Sequence, residues 1–217
     1  MNEKTLKIWL GLYITFSTLF MAIDALLEFE FDWVIKAIPL FLLMYFCQVS
    51  LKGSIRVFML LALLFSVSGD ILLSLDGLFI PGLGAFLIAQ IIYTCIFLSA
   101  FKLSIKGVYW AIFIITYMLT CSVFILPNSG DFTLAVTAYM IAISLMAISA
   151  GFRNDPYFLF VGFGALVFMS SDTLIAINKF VVPFSAAPLS IMFTYYAAQL
   201  IICLGIVRHY NLSNGKS

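Results

Sequence analysis

Two aspartates stand inside long apolar stretches of this sequence, in segments that look like copies of one another. Ser68-Gly69-Asp70-Ile71-Leu72 and Ser170-Ser171-Asp172-Thr173-Leu174 each contain one carboxyl among hydrophobic residues. A charged side chain at the centre of a bilayer costs about 2.5–3.5 kcal/mol, so such a residue usually marks a pathway or a site. The pair therefore predicts a shared functional site. The simpler alternative is that each carboxylate lies near the membrane interface and only fixes helix packing.

Two carboxyls that share an apolar pocket are suited to acid catalysis. Burial and a neighbouring like charge keep one of them protonated near neutral pH while the other stays ionised. The protonated carboxyl can act as a general acid, and the ionised one can stabilise a developing cation and orient water. Such a pair requires no metal, no cofactor and no nucleophilic serine. Which of Asp70 and Asp172 is the acid stays open, because a coupled pair titrates as a unit.

The composition indicates where these aspartates are placed. Of 217 residues, 64% are hydrophobic and only 10% are charged, whereas a soluble domain has roughly 25% charged residues. The sequence is therefore that of an all-α, polytopic membrane protein. A net charge of +1 offers no basic surface for nucleic acid. Nothing in the composition predicts the oligomeric state.

Eight apolar segments are long enough to cross a membrane as helices, since a span needs about 20 mostly apolar residues. Short connections predict that they form one domain, a compact bundle. The predicted spans are residues 6–27, 33–49, 55–75, 79–101, 107–126, 132–151, 157–178 and 185–207.

The basic residues predict the orientation of this bundle. With the N-terminus in the cytoplasm, nine of the eleven lysines and arginines fall on the inner side, as the positive-inside rule requires. We therefore expect both termini in the cytoplasm. We also expect an integral protein of the bacterial inner membrane. The nine inner residues are Lys4, Lys7, Lys52, Arg56, Lys102, Lys106, Arg153, Arg208 and Lys216. The first outer loop carries Glu28, Glu30 and Asp32 instead.

Counting along the spans predicts that the site lies in the outer half of the membrane. Asp70 and Asp172 each follow the predicted start of their helix by fifteen residues, which is about 22 Å at 1.5 Å per residue. Other polar residues in the spans gather mostly on the same side of the midplane. These candidates for substrate binding are Lys36, Gln90, Tyr93, Tyr139, Tyr195, Tyr196 and Gln199.

Some of these candidates have an equally simple structural explanation. Lys36 is either a lysine that snorkels to the outer headgroups or a phosphate-binding cation or counter-ion. The tyrosines have two explanations as well. Either they reflect only the composition of a chain that is 17% aromatic, or their hydroxyls make polar contact with the site, since a buried hydroxyl needs a partner.

A weak internal repeat relates the two halves of the chain. Asp70 precedes Pro81 and an Ala-Gln pair that ends at Gln90, and Asp172 precedes Pro183 and the Ala-Gln pair that ends at Gln199. With four helices in each half, the duplication would be parallel and would keep equivalent residues on the same membrane side. The repeat predicts that the Asp70 and Asp172 helices face one another across a pseudo-two-fold axis.

A series of short motifs extends over most of the chain in a fixed order. They are Lys36-x-x-Pro39, Ser68-Gly69-Asp70, Gly84-Ala85-Phe86 with Tyr93, Gly164-Ala165-Leu166 with Ser171-Asp172, and Tyr195-Tyr196-Ala197-Ala198-Gln199. In this order and spacing the chain resembles the YhhN-type lysoplasmalogenases, multispanning membrane hydrolases of the vinyl-ether bond in lysoplasmalogens. The resemblance implies eight spans and an active site built on the two aspartates.

The resemblance also implies the substrate, a choline or ethanolamine lysophospholipid that enters from the bilayer. Its cleavage would yield a fatty aldehyde and a glycerophospho-headgroup. A vinyl ether opens by protonation, which is the chemistry that the aspartate pair suits, and Lys36 would meet the phosphate. The alternative outside this class is a proton-coupled transporter of a small molecule or lipid that uses the same carboxylates as proton carriers.

Overall fold

The computed structural model describes residues 3–26, 32–213 and 215 of the chain. Over these residues the fold is helical, with eight helices long and apolar enough to cross a membrane. This confirms the predicted fold class. The helices are α1 (Glu3–Leu26), α2 (Asp32–Ser50), α3 (Gly53–Leu73), α4 (Phe79–Leu98), α5 (Ile105–Ile125), α6 (Thr133–Gly151), α7 (Phe158–Ala176) and α8 (Ala187–Ser213).

Several helix ends differ from the predicted spans by a few residues. Helix α3 ends at Leu73, where the amide and hydroxyl of the following Ser74 both donate to the Asp70 carbonyl, and Gly77 then turns the chain with φ +76°. Helix α7 continues as a π-helical turn, Ile177–Val181. Leu27, Glu28, Glu30 and Lys216 lie outside the described residues, so the predictions that rest on them are not addressed.

The bundle has two ends that differ in polarity. The end that carries the α2–α3, α4–α5 and α6–α7 connections, here called the Arg153 end, contains a buried ion pair between Arg153 Nη2 and Asp155 Oδ2 at 2.7 Å. Burial lowers the pKa of the Arg153 guanidinium, and Asp155 opposes that shift. Arg153 also donates to the Ile96 carbonyl, so it links the α6–α7 connection to α4. The opposite end is here called the Lys179 end.

Glycines allow the closest helix contacts. A side chain at Gly69 of α3 would collide with the Phe86 ring of α4, and one at Gly164 of α7 would meet the Ile202 backbone nitrogen of α8 at 3.1 Å. Helices α3 with α4, and α7 with α8, are the most extensively packed pairs. Small residues at such positions let two helices approach closely, which explains the glycines near both aspartates.

The two halves of the chain pack in the same order. Helices α1 to α4 pack each on the next, as α5 to α8 do with one another, and α4 packs on α6 as α8 packs on α2. The exception to this shared order lies between halves: α1 packs on α8, whereas the corresponding α4–α5 contact is not among the extensive ones in the described bundle, and a pocket lies there. Helices α3 and α7 pack on α4 and α8 rather than on each other. The duplication and its pseudo-two-fold axis stay predictions.

Candidate active site

Asp70 lies in the last turn of α3 and is only 4% exposed. The Lys36 ammonium of α2 is 4.0 Å from its Oδ1. The same ammonium donates to Ser74 Oγ at 3.2 Å and to the Asp70 carbonyl at 3.5 Å. Lys36 is thus directed onto the end of α3 and lies there as a counter-ion to Asp70, with its side chain 14% exposed.

Two adjacent tyrosines of α8 surround this ion pair. The Tyr196 hydroxyl donates to the Lys36 carbonyl at 2.8 Å, which fixes α2 against α8. The Tyr195 hydroxyl interacts with the Asp70 side chain without reaching hydrogen-bond geometry. Tyr195 Oη and Asp70 Oδ2 are both buried and have no hydrogen-bond partner among the described residues. Two unpaired polar atoms therefore lie side by side at the end of α3.

Asp172 has a different environment on α7. Its Oδ2 accepts a hydrogen bond from the Tyr139 hydroxyl of α6, and Gln90 Nε2 of α4 donates to the Tyr139 oxygen at 3.3 Å. In the described part of the chain, no ion pair involves Asp172. Its carboxyl is half-buried and belongs to the wall of a pocket. The structure therefore brings Asp172, Tyr139 and Gln90 together.

The pocket beside Asp172 is almost entirely apolar. It is bounded by the ends of α3 to α7 and contains about 640 Å³ of atom-free space, counting its open mouth. It is narrow, since only about 50 Å³ admits the centre of a water-sized sphere. Its polar lining comes chiefly from Asp172, Tyr139 and Thr173, and its apolar lining includes Leu83, Phe86, Val136, Ile143 and Met169.

The two carboxyls lie in adjoining environments rather than on one wall. Asp70 does not line the pocket, although its charge acts on Asp172. Phe86 joins the two environments, because its ring lines the pocket, covers Gly69 and packs edge-on against Tyr195 at 6.0 Å between centroids. A single cavity shared by Asp70 and Asp172 stays a prediction.

Tyr93 and Gln199 form a separate polar contact deeper in the bundle. The Tyr93 hydroxyl donates to Gln199 Oε1 at 2.6 Å, and Gln199 Nε2 donates to Ser66 Oγ at 3.1 Å. All three residues are fully buried, and none of them lines the Asp172 pocket. In this structure they join α3, α4 and α8, while the substrate contacts predicted for Tyr93 and Gln199 stay predictions.

Sequence reasoning did not find the aromatic cluster next to the pocket, toward the Lys179 end. The Lys179 ammonium lies over the Phe79 ring at 4.3 Å from the centroid, with the Phe132 and Phe180 rings at 5.8 and 5.9 Å. Phe79 begins α4, Phe132 lies in the α5–α6 connection, and Phe180 lies in the π-helical turn after α7. In a chain with 23 phenylalanines, no spacing could have indicated that these three meet.

Comparison with known proteins places the chain in a family. The YhhN family matches residues 31–206. Lysoplasmalogenase TMEM86A of Bos taurus is 32% identical, with 85% of each chain covered, and the Homo sapiens protein of that name gives the same figures. A lysoplasmalogenase of Mycobacterium bovis is 29% identical over 70% of this chain and 61% of its own. No solved structure matches. The chain thus belongs to the YhhN family.

Proposed function

We propose that this protein hydrolyses the vinyl-ether bond of lysoplasmalogens within the membrane. Family membership and relatives named lysoplasmalogenase support this proposal. The observation that carries it is Asp172, a carboxyl on the wall of a narrow apolar pocket, held by a neutral tyrosine hydroxyl. An acid beside an apolar chain site is what protonation of a lipid double bond requires.

The proposed reaction begins with transfer of a proton from a carboxyl to the vinyl carbon β to the ether oxygen. The double-bond electrons form the new C–H bond and leave an oxocarbenium ion. Water adds to the cationic carbon and gives up a proton to the carboxylate just formed, which restores the acid. The resulting hemiacetal collapses to a fatty aldehyde and the alcohol of the glycerophospho-headgroup. General acid catalysis of this kind contributes about 10²–10⁴-fold to a rate.

Asp172 is the proton donor in this proposal. A carboxyl in an apolar wall without a neighbouring cation favours its neutral form, because burying an unpaired charge is costly. The Tyr139 hydroxyl donates to Oδ2, so Oδ1 can carry the proton. After proton transfer, the same hydroxyl stabilises the carboxylate that remains. Tyr139 is thus a positioning residue, and Gln90 orients it through the 3.3 Å contact to its oxygen.

Asp70 is the ionised partner. The Lys36 ammonium 4.0 Å away favours its charged form, and that negative charge stabilises the oxocarbenium ion next to Asp172. Oδ2 of Asp70 and the Tyr195 hydroxyl are buried without hydrogen-bond partners. Buried polar atoms of this kind are commonly satisfied by an ordered water. We propose that they hold the water that attacks the cation.

The pocket supports a lipid substrate with one apolar chain. Its lining suits an alkenyl chain that enters from the lipid phase, with the headgroup left at the Lys179 end. We propose choline or ethanolamine as headgroup. We also propose that the Lys179 end faces outward from the bacterial inner membrane, with both termini in the cytoplasm and the site in the outer half.

The direct test is to find where the proton that is added to the substrate ends up in the product. Purified protein is incubated in D₂O with a lysoplasmalogen, and the aldehyde is reduced at once to the alcohol and examined by mass spectrometry. The proposal predicts one deuterium on the carbon next to the former carbonyl, because the exchanged carboxyl delivers it there. The saturated-ether analogue has no double bond to protonate and should release nothing.

Two results would overturn the proposal. Equal cleavage of the saturated ether would contradict a route through an oxocarbenium ion. Folded protein that releases no aldehyde, yet takes up protons into vesicles when lipid is added, would identify proton-coupled transport instead.

A further inference from the structure

Next to the Asp172 pocket, toward the Lys179 end, three aromatic rings form a cage that already holds a cation. Phe79, Phe132 and Phe180 pack edge-to-face or tilted on one another, with centroids 5.5 to 6.0 Å apart. The Lys179 ammonium lies 4.3 Å from the Phe79 centroid and within 6 Å of the other two. We call these three rings the phenylalanine cage.

The cage stabilises positive charge without a carboxylate. Among the described residues, Lys179 takes part in no ion pair, so its electrostatic partners there are the faces of the three rings. An aromatic cage favours a cation that donates no hydrogen bonds, and quaternary ammonium groups are its best known ligands. The lysine ammonium is smaller and more strongly hydrated than such a group. The side chain of Lys179 is exposed, so it can leave the cage for water.

The cage is continuous with the proposed chain site. Phe79 and Phe180 line the same pocket as Asp172, and Phe180 follows Asp172 by about two helical turns on α7 and its π-helical extension. A lipid whose vinyl ether lies beside Asp172 and whose chain enters the pocket would direct its headgroup to this cage. The apolar pocket, the acid and the cage therefore lie in the order of tail, reacting bond and headgroup.

We propose that the phenylalanine cage binds the ammonium of the substrate headgroup and that Lys179 occupies the same place when no substrate is bound. The identity of the substrate rests on the function proposed above, whereas binding of an ammonium headgroup does not. The cage thereby selects choline and ethanolamine lipids over lysolipids whose headgroup carries no cation. It also keeps the ammonium away from Asp172, because Asp172 lies deeper along the pocket wall.

The first test uses the unaltered protein and two uncleavable lipids. One is a saturated-ether lysophosphocholine, and the other is its isostere with a 3,3-dimethylbutyl headgroup, which has the same shape but no positive charge. Equilibrium binding to protein in nanodiscs is expected to favour the choline lipid by about 3- to 30-fold, the range that cation–π contacts support. Equal dissociation constants for the two lipids would overturn the proposal.

The second test alters the cage. Phe79→Leu combined with Phe132→Leu keeps the apolar volume similar but removes two ring faces, so the preference for the choline lipid should disappear while binding of the isostere changes less than about 2-fold. Phe193→Leu removes a lipid-exposed ring of α8 and should preserve the preference. Phe79→Trp offers a stronger cation–π face and should increase it, which keeps the test available if the double variant does not fold.

The outcomes separate this proposal from the enzymatic one. A double variant that retains the full preference for the choline lipid would contradict the proposed role of the cage. A double variant that binds both lipids more weakly, and by the same factor, would also contradict it, since that result indicates a structural role only. If the unaltered protein prefers the choline lipid but never releases aldehyde, the cage stands and the proposed hydrolysis fails. If the protein releases aldehyde but shows no preference for the choline lipid, the proposed hydrolysis stands and the proposed role of the cage fails.

Discussion

The environments of Asp70 and Asp172 have corresponding positions in the two halves but opposite electrostatics. Each carboxyl lies toward the Lys179 end of its helix and has a partner on the preceding helix, 34 residues earlier for Asp70 and 33 for Asp172. The partner of Asp70 is a cation, Lys36, at 4.0 Å. The partner of Asp172 is a neutral hydroxyl, Tyr139. Asp70 thus lies beside a cation, whereas Asp172 lies beside a hydroxyl.

The surrounding helices reinforce this difference. Helix α1 packs against α8, and Asp70 is only 4% exposed. In the other half, a pocket lies between α4 and α5 toward the Lys179 end, and Asp172 forms part of its wall. The comparison teaches that the two carboxyls differ in access as well as in their partners: Asp70 is buried beside a lysine, whereas Asp172 forms part of a pocket wall.

The largest expected effect comes from removing the acid itself. Asp172→Asn should lower kcat for aldehyde release by about 10²–10⁴-fold, because the amide cannot donate a proton to carbon. The neutral side chain should not unfold the protein, which size-exclusion chromatography and thermal unfolding would check. Asp131→Asn, at an exposed acid of the same end, is the matched control. A variant that retains more than a tenth of the activity would exclude Asp172 as the donor.

The second prediction concerns the fixed charge at Asp70. Lys36→Met should lower the free energy of unfolding by about 3 kcal/mol, because it leaves a buried carboxylate without its counter-ion. Adding Asp70→Asn should restore most of that loss, since no charge then remains to be paired. Thermal unfolding of the single and double variants in detergent measures the coupling. If the loss in the free energy of unfolding of the double variant equals the sum of the losses of the two single variants, Lys36 and Asp70 do not stabilise one another.

The third prediction tests the neutral partner of Asp172. Tyr139→Phe should lower kcat by about 10- to 100-fold with little change in KM, because a hydrogen bond to a charged group contributes about 1.5–3 kcal/mol and this one strengthens as the carboxylate forms. The control is Tyr117→Phe, whose hydroxyl bonds Thr173 at 3.1 Å in the neighbouring position. If KM rises and kcat does not fall, Tyr139 binds substrate instead of positioning the acid.

The smallest effect is expected at Gln90. Gln90→Met keeps the length of the side chain but removes the 3.3 Å contact from Nε2 to Tyr139, so kcat should fall about 2- to 10-fold, in line with one neutral hydrogen bond. In the Tyr139→Phe background the same change should have no further effect on kcat. Independent losses in the two variants would show that Gln90 does not act through Tyr139.

The sequence predicts the eight membrane-spanning helices because the patterns that indicate them are local. A long apolar run predicts a membrane span whichever helices it packs against. Asp70 and Asp172 stand out because charged residues are rare in such runs. Lys36 and Tyr139 were also identified as polar residues near that depth. Their assignment to different aspartates depends on which helices become neighbours, and no local pattern gives that information.

What the sequence could not reveal is produced by contacts between distant segments. The gap between α4 and α5 that forms the pocket results from packing of whole helices. The phenylalanine cage joins residue 79 at the start of α4, residue 132 in the α5–α6 connection and residue 180 in the π-helical turn after α7. Tyr195 and Tyr196 are adjacent in sequence, yet one contacts Asp70 and the other the Lys36 backbone, since consecutive residues of a helix point in different directions.

The protonation state of the two carboxyls tests the central claim most directly. Infrared spectra of the purified protein in lipid at neutral pH contain a carbonyl stretch from any protonated carboxyl, and difference spectra against Asp172→Asn and Asp70→Asn assign it. The account predicts that this band disappears in Asp172→Asn and persists in Asp70→Asn. A band that is lost in Asp70→Asn and retained in Asp172→Asn would reverse the roles and contradict the account.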